Sequence, residues 1–199
     1  MHKTFHQYFF IFLIIISVSG CASTLIGGAA SVGLASVQER SIKDAAIDLK
    51  LELLIQEKLF STDPDKLFVN VGVTMLEQRA LLVGNVESQK FRDLASAIAW
   101  GISPKVKDVL NELTIGKKPS LVSEAKDAKI SLSLSALLIG DAKVSDINFS
   151  HSVSKQVIFL IGIAKNTEEF NHVIQHARTV KGVKKVISHI ILKNDKKRM

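Results

Sequence analysis

The spacing of apolar residues changes several times along the chain, and each change predicts a new structural element. Early in the chain, a helical stripe runs through Ile47, Leu51, Leu54, Ile55 and Leu59. Leu49 and Leu53 depart from that stripe and also fit a period of two, which leaves a strand as the alternative for this segment. From residue 69 to residue 75, Val and Met alternate with Asn, Gly and Thr. That alternation is typical of a strand with one buried face.

A second strand is predicted for residues 79–86, and it follows the first so closely that the two should form a hairpin turning near Glu77 and Gln78. Helical spacing then returns over residues 88–100, at Phe91, Leu94, Ala95 and Ile98. Residues 106–115 predict a third strand. The predicted order is α-β-β-α-β.

The second half of the chain repeats this order. Residues 44–55 align without a gap on residues 127–138, and Leu81-Leu82-Val83-Gly84 recurs as Phe159-Leu160-Ile161-Gly162. The second unit is predicted to contain a helix at 124–139, strands at 144–151 and 155–164, a helix at 167–179 and a strand at 183–192. The repeats predict two copies of one unit of roughly 75 residues, a length at which small domains can fold alone.

The beginning of the chain, from Met1 to Cys21, has the pattern of an export signal. An unbroken apolar run, residues 8–16, follows a short segment that carries Lys3 and no acid. Nine residues are too few to cross about 30 Å of hydrocarbon as a helix, but they suit the apolar region of a signal peptide. The next segment, Val18-Ser19-Gly20-Cys21, resembles the lipobox of bacterial lipoproteins, in which the cysteine thiol is lipidated and the peptide is cut before it.

This resemblance predicts a lipoprotein signal peptide at 1–20 and a mature chain anchored at Cys21 through acyl chains such as palmitate. The alternatives are an ordinary cleaved signal with a free thiol, or an uncleaved anchor. Ala22 follows the cysteine, whereas in Gram-negative lipoproteins an Asp there favours inner-membrane retention, so the resemblance implies the outer membrane. Residues 21–40 are rich in Gly, Ala and Ser and predict a lipidated tether.

Composition narrows the chemistry that the chain can perform. Apolar residues make up 47% of the chain and prolines number three, which excludes a disordered protein. The single cysteine excludes a disulfide scaffold and every site with several thiolates. No nucleophile elbow or Gly-rich phosphate loop is visible, and no paired carboxylates lie outside solvated helix faces. The chain is therefore predicted to be non-enzymatic and to use no cofactor.

Two histidines raise the question of a metal site. His172 and His176 are four residues apart and share one helix face, so a third ligand from another element would complete a site. The acids near that face in the sequence are Glu168 and Glu169. Two ligands are a weak signal, and the sequence therefore predicts a solvated helix face and no metal site.

Charge is unevenly divided between the two repeats. Residues 41–116 hold 9 basic and 11 acidic residues, a net charge of −2, whereas residues 117–199 hold 15 basic and 7 acidic residues, a net charge of +8. An exported protein does not meet nucleic acid, so the partner that this basic half predicts is anionic phospholipid. Charge that serves only solubility is the alternative. The candidate lipid-binding residues are Lys126, Lys129, Lys184 and Lys185.

The repeated α-β-β-α-β order resembles the BON domain, as do the glycine that ends each second strand and the Gly182-Val183 step before the last strand. With its lipobox and tether, the whole chain resembles the dual-BON outer-membrane lipoproteins. That resemblance implies an α+β fold of two tandem BON domains, 41–116 and 117–193, and a basic tail at 194–199. In each domain, two helices would cover one face of a small three-stranded mixed sheet. The first unit lacks the Gly-Val step at 102–106, a departure that concerns the helix-to-strand turn and not the fold.

The predicted function is that of a non-enzymatic outer-membrane lipoprotein on the periplasmic face, whose second unit binds anionic phospholipid and supports envelope integrity. The lipid specificity is what the resemblance implies, whereas the residues themselves supply the anchor, the repeats and the charge asymmetry. One alternative is a periplasmic interaction module that docks envelope assembly or peptidoglycan-remodelling proteins through its exposed strands. A hydrolase is disfavoured because no catalytic constellation is visible.

Overall fold

The computed structural model describes Glu39 and residues 41–198. The predicted signal peptide, the predicted lipidation site Cys21 and all of the predicted tether except Glu39 lie outside these residues. Within the described part, no helix is long and apolar enough to cross a bilayer. The main elements are α1 (Ile42–Thr62), β1 (Val71–Leu76), β2 (Arg79–Val86), α2 (Gln89–Gly101), β3 (Asp108–Ile115), α3 (Leu121–Gly140), β4 (Phe149–Ser154), β5 (Val157–Ala164), α4 (Thr167–Thr179) and β6 (Lys185–Leu192).

Each half of the described chain builds one three-stranded sheet. In the first sheet, β1 pairs antiparallel with β2, and β2 pairs in parallel with β3. The second sheet repeats this arrangement with β4, β5 and β6. The predicted α-β-β-α-β order and the mixed sheet are confirmed in both halves. The predicted start of β4 at residue 144 is wrong, because a 3-10 turn at Asp146–Asn148 precedes the strand.

The two helices of each half pack on the same face of their sheet. In the first half, Leu51 and Ile55 of α1 and Ala95 of α2 belong to one buried cluster with Val73 and Leu82 of the sheet. The second half builds a matching cluster from Ile130, Leu134, Leu138, Ile158, Leu160, Val173 and Ala177. Removing one such aliphatic side chain from water contributes about 1.5 to 3 kcal/mol, so these clusters hold each helix on its sheet.

The repeat is real, but its first block is shifted by about one helical turn from the sequence alignment. The buried positions of α1 correspond to those of α3 as Leu51 with Ile130 and Ile55 with Leu134. The ungapped alignment of 44–55 on 127–138 paired Leu51 with Leu134 instead, and it was wrong by four residues. Apolar residues recur every three or four positions in both helices, so a slip of four preserves most of the matches.

The two hairpin turns, Glu77-Gln78 and Lys155-Gln156, hold non-glycine residues at φ between 49° and 62°. Left-handed backbone costs about 1 to 2 kcal/mol per non-glycine residue, so these turns need support. The buried carboxylate of Asp48 accepts hydrogen bonds from both N–H groups of the first turn, each at 2.7 Å. Asp127 accepts the equivalent pair from the second turn at 2.8 and 2.7 Å. The hairpin expected near residue 77 is confirmed, and a carboxylate from the first helix of each half stabilises it.

The two sheets face each other across a third buried cluster that the sequence did not lead us to expect. Its members come from the sheet faces opposite the helices, namely Leu76, Leu81, Val83, Phe159, Ile161, Ile163 and Ile191. The central strands β2 and β5 are consequently buried on both faces. Residues 80–83 and 157–164 are continuous apolar runs, which is the pattern of strands that are covered on both faces. The burial of both faces could therefore have been predicted from the sequence. Docking through exposed strands cannot use these faces.

The last strand of each half begins in the same way. The N–H of Lys107 donates to the carbonyl of Gln78, and the N–H of Lys184 donates to the carbonyl of Gln156, both at 2.8 Å. In the second half the glycine of the Gly-Val step precedes this bond with φ of 95°. The first half reaches the same bond through residues 102–106 with no positive φ among them. The missing Gly-Val step therefore changes the turn and leaves the fold intact.

The glycine expected at the end of each second strand lies inside that strand. A Cβ at Gly84 would lie 2.0 Å from the carbonyl oxygen of Asn70, and a Cβ at Gly162 would lie 2.4 Å from the ring of Phe149. Both contacts are shorter than any side chain tolerates. Glycine is needed here for close approach of the neighbouring chain rather than for ending the strand.

The basic tail contacts the first half of the molecule. Arg198 donates to the carboxylate of Glu77 through Nε at 2.9 Å and through Nη2 at 2.6 Å. Hydrogen bonding to Glu77 raises the pKa of Arg198. Nη2 also donates to the carbonyl of Glu39 at 2.9 Å, and the Nζ of Lys193 lies 2.7 Å from the Glu39 carboxylate. Arg198 is therefore engaged by protein groups and does not simply extend the basic surface.

Candidate functional site

The helix α3 is apolar on its outer face as well as on its buried face. Opposite the buried Ile130, Leu134 and Leu138, spacings of three and four residues align a second row on the exposed side. We call this row the outer stripe; it consists of Leu121, Ala125, Ala128, Leu132, Ala136 and Ile139. Its three large side chains are 83%, 72% and 71% exposed, at Leu121, Leu132 and Ile139. An apolar row that is open to solvent is a candidate contact surface.

Of the two predicted lipid-binding lysines on α3, Lys129 lies beside the outer stripe and Lys126 lies farther around the helix. Lys126 and Lys129 are both exposed. At 3.6 residues per turn, Lys129 lies about 60° and Lys126 about 120° around the helix from the middle of the stripe, both on the same side. A helix with an apolar face and flanking basic residues is typical of one that lies on a membrane surface.

The other two predicted lysines begin the last strand of the same half. Lys184 and Lys185 are both exposed. The N–H of Lys184 donates to the carbonyl of Gln156, whose own N–H donates to Asp127 of α3. The structure thus brings the start of β6 and the beginning of α3 to one hairpin turn. Lys126 precedes Asp127 in α3, and Lys185 follows Lys184, so each lysine pair has one member next to a residue that is bonded to this turn.

The equivalent face of α1 is less continuous. Its large apolar side chains that face solvent are between 52% and 65% exposed. They are Ile42, Leu49, Leu53 and Phe60. In the register set by the buried positions of the two helices, Glu57 takes the place that Ala136 has in the outer stripe, so a carboxylate interrupts the row. Lys50 takes the place of Lys129. The two helices expose similar apolar surface with different charge.

Sequence reasoning missed both outward faces. The period-two alternative for Leu49 and Leu53 is wrong, because both lie in α1 on its exposed side. A helix with apolar rows on opposite sides has no pronounced polar face, so the outer row becomes visible only when the buried row is known. The spacing of apolar residues between 121 and 139 could have predicted the outer row of α3.

A second group of polar side chains gathers where α3 ends. Asp141, the first residue after α3, lies with its Oδ2 2.9 Å from Nδ1 of His172 and 2.8 Å from Nε2 of His176. Hydrogen bonding, chiefly to His176, lowers the pKa of Asp141 to about 2. The histidine side chains are only 28% and 23% exposed. The predicted solvated helix face is wrong, because a loop 31 residues before His172 supplies a partner that sequence reasoning did not consider.

One further histidine lies close to α3. His151 of β4 places its Nε2 3.0 Å from the hydroxyl and 3.2 Å from the carbonyl of Ser131. Burial lowers the pKa of His151, and the hydrogen bond to the Ser131 carbonyl opposes that effect. The neutral imidazole is therefore favoured in the folded state.

Comparisons with known proteins agree with the repeated architecture. The BON domain family matches residues 48–117 and 126–194. Over 158 residues the chain is 37% identical to an "uncharacterized protein in gshII 5'region" from Anaplasma centrale, which covers 79% of this chain and 99% of that protein. Over 172 residues it is 27% identical to outer membrane lipoprotein DolP from Haemophilus influenzae, which covers 86% of this chain and 88% of the relative.

Among solved structures, CdsD, a structural protein of the type III secretion system of Chlamydia trachomatis, matches 70% of this chain and 91% of its own at 14% identity. Its TM-score of 0.29 is too low to relate the two arrangements. The family matches, by contrast, fall on the two halves that carry the sheets β1-β2-β3 and β4-β5-β6 and together span more than half of the chain. The chain belongs to the BON domain family and contains two BON domains in tandem.

Proposed function

We propose that this protein is a periplasm-facing outer-membrane lipoprotein whose second BON domain binds anionic phospholipid and supports envelope integrity. In this proposal residues 1–20 are a signal peptide, Cys21 carries the lipid anchor and residues 21–40 are the tether. The first BON domain is 41–116 and the second is 117–193. The chain acts by binding and not by catalysis.

The outer stripe of α3, with Lys129 beside it and Lys126 farther around the helix, is the observation that carries the proposal. A bilayer surface offers anionic headgroups beside an apolar boundary, and the helix offers the complement of both. Each basic residue near an anionic surface contributes about 1 kcal/mol. A leucine that leaves water contributes about 1.5 to 3 kcal/mol, so the stripe can add as much as the charges do.

Two further observations support the location. The relative from Haemophilus influenzae is named an outer membrane lipoprotein. The lipobox ending at Cys21 supports an anchor, and two or more acyl chains are enough for stable membrane attachment. An anchor in the same bilayer would hold the second domain near the membrane surface. A modest affinity of that domain for phospholipid would therefore suffice.

Vesicle flotation tests the proposal. A chain of residues 22–199, which lacks the anchor, should float with vesicles rich in anionic phospholipid and remain unbound with zwitterionic vesicles. Charges are screened over about 8 to 10 Å at physiological ionic strength, so binding should fall steeply from low to physiological salt. The double substitution Lys126→Glu and Lys129→Glu reverses two charges and should weaken binding by a few kcal/mol at most, given about 1 kcal/mol per charge.

Matched substitutions define the surface. Lys50→Glu is the control on α1, because Lys50 has the place of Lys129 in the first domain, and it should leave flotation unchanged. Lys184→Glu with Lys185→Glu should weaken flotation if the start of β6 belongs to the same surface. Salt-independent flotation, or equal loss with Lys50→Glu, would contradict the proposal. Salt-indifferent retention of an envelope protein without vesicle binding would favour the docking module instead.

A further inference from the structure

Three metal-binding side chains meet at the C-terminal end of α3. His172 and His176 are four residues apart on α4, so their imidazoles share one helix face, with ring centroids 6.5 Å apart. Asp141 reaches both from the loop after α3. One ligand atom from each of the three residues lies within 4.8 Å of the other two. Such proximity of two imidazoles and a carboxylate is what a small cation requires.

The separations are close to those of a coordinated ion. Ligand atoms held tetrahedrally at about 2.0 to 2.1 Å from zinc lie about 3.3 Å from each other. The Oδ2 of Asp141 is 2.9 and 2.8 Å from the two histidine nitrogens. To admit an ion, each of these two separations would have to lengthen by about half an ångström. The two histidine nitrogens lie within 4.8 Å of each other. Two imidazoles and a carboxylate suit zinc and its neighbours in the first transition series, and they leave a fourth position for water.

The carboxylate ligand is already positioned. Oδ1 of Asp141 accepts the N–H of Lys143 at 2.9 Å, which directs Oδ2 toward the histidines. The buried carboxylate of Glu169 accepts the N–H of Ser145 at 2.8 Å and so ties the same loop to α4. Loop and helix are thus joined at two points. Little conformational freedom remains to be lost when an ion binds.

The other ring nitrogen of His172 has a carboxylate within reach. Its Nε2 lies 3.9 Å from Oε1 of Glu168, and that oxygen accepts a hydrogen bond from Lys143 Nζ at 3.1 Å. A carboxylate that accepts the second N–H of a metal-bound imidazole fixes its tautomer and orientation. At 3.9 Å Glu168 does not hydrogen-bond this nitrogen, so it would reach the outer position through a small side-chain movement and would not be a direct ligand.

The first BON domain shows that the fold does not need histidines here. The helices α2 and α4 are equally long, and aligning their first residues puts Leu94 and Ile98 in the places of His172 and His176. Both apolar residues pack into the core of the first domain. Packing alone therefore does not account for the two imidazoles, whereas an aspartate follows the first helix in both domains, Asp63 in the first and Asp141 in the second.

We propose that Asp141, His172 and His176 bind one divalent transition-metal ion of the zinc type, and that Glu168 orients His172. The site lies beyond the opposite end of α3 from Lys126 and Lys129, about 20 Å away at 1.5 Å per residue. It is therefore separate from these lysines, whereas the outer stripe ends at Ile139, two residues before Asp141. The two proposals can fail independently.

Metal binding by the full chain, purified in mild detergent and stripped with a chelator, tests the site. Titration calorimetry with Zn²⁺ should show one equivalent that is lost in His172→Gln and in His176→Gln. Co²⁺ should give visible d–d absorption that Zn²⁺ displaces. Glu168→Gln should weaken Zn²⁺ binding about 10- to 100-fold, the usual effect of removing an outer-shell partner, and less than either histidine substitution.

His189→Gln is the matched control. His189 Nε2 lies 2.9 Å from the Glu112 carboxylate, so it forms a histidine–carboxylate pair without a second histidine, and its substitution should leave Zn²⁺ binding intact. Circular dichroism checks that each variant folds, and Asp141→Asn, which keeps the shape of the ligand, provides a second test. Zn²⁺ binding that is absent from the wild-type chain, or equal in the wild-type chain and every variant, overturns the proposal. The three side chains would then serve only as a hydrogen-bonded link between α3 and α4.

Discussion

In both BON domains a carboxylate from the first helix holds the hairpin turn, Asp48 in the first and Asp127 in the second. The outward faces of those helices differ, because Glu57 interrupts the apolar row of α1 where α3 has Ala136. The net charges of the two halves also differ, at −2 and +8. The two domains thus share the contacts that the fold needs and differ on their outer surfaces. That divergence is why we assign the membrane contact to one domain.

The largest effect should come from a charge placed on the inward face of α1. Leu51 is 3% exposed, and Leu51→Asp buries an unpaired carboxylate, which should cost more than about 4 kcal/mol of unfolding free energy. Leu53 is 56% exposed, and Leu53→Asp should change that free energy by less than about 0.5 kcal/mol. Thermal melting followed by circular dichroism and Trp100 fluorescence measures both. Equal melting of the two variants would contradict the faces assigned to α1.

The core shared by the two sheets should make the domains unfold together. Phe159 of the second domain is 3% exposed and clusters with Leu81 and Val83 of the first. Phe159→Ala should cost about 3 to 5 kcal/mol and should lower the midpoint reported by Trp100, which lies in the first domain. Leu53→Ala, at a position 56% exposed, is the control with little expected effect. A Trp100 transition that Phe159→Ala does not move would show that the domains are independent.

Loss of the turn-holding carboxylates should have a smaller effect. Hydrogen bonds to a charged group contribute about 1.5 to 3 kcal/mol, so Asp48→Asn and Asp127→Asn should each lower stability by about 2 to 3 kcal/mol in urea denaturation. Asp48 should matter more, because it is 2% exposed against 9% for Asp127. Asp44→Asn is the control, since the ungapped alignment paired Asp44 with Asp127. An effect of Asp44→Asn as large as that of Asp48→Asn would mean that the repeats correspond differently.

These comparisons also show which features the sequence could predict. The bounds of β2, residues 79–86, and the turn at Glu77 follow from local alternation and a short connection, and the structure confirms them. The order of elements was predictable because each apolar pattern reports on its own segment. The register of the helices was not, because a slip of four residues leaves an apolar stripe nearly unchanged.

Features that join distant segments were beyond the sequence. Asp141 meets His172 across 31 residues, and nothing local links them. The apolar runs in β2 and β5 indicate that something covers the second face of each sheet. They do not indicate that the other sheet does so, and this is what forms the shared core. The start of β6 and Asp127 of α3 are linked through the hairpin at Gln156, which no spacing rule reveals.

The smallest expected difference between the domains is a dependence on pH. His151 has the place of Val73, a buried residue of the first domain, because each is the third residue of the first strand in its sheet. Because burial lowers the pKa of His151, the unfolded chain takes up its proton first, and stability should fall as the pH drops below the ordinary value of 6.5. His151→Val should remove part of that fall when urea denaturation is compared at pH 7 and below. An identical pH profile in the variant would show that His151 titrates normally.

The central claim is that the outer stripe of α3, and not the equivalent face of α1, contacts the membrane. Leu132 and Leu53 have equivalent places in the two helices and are 72% and 56% exposed, so an Asp at either position should leave the fold intact. In flotation of residues 22–199 with anionic vesicles at low salt, Leu132→Asp should weaken binding by at least about tenfold, because it removes about 1.5 to 3 kcal/mol of apolar contact and adds repulsion. Leu53→Asp should float like the wild-type chain. Equal flotation of the two variants, or a loss with Leu53→Asp alone, would contradict the account.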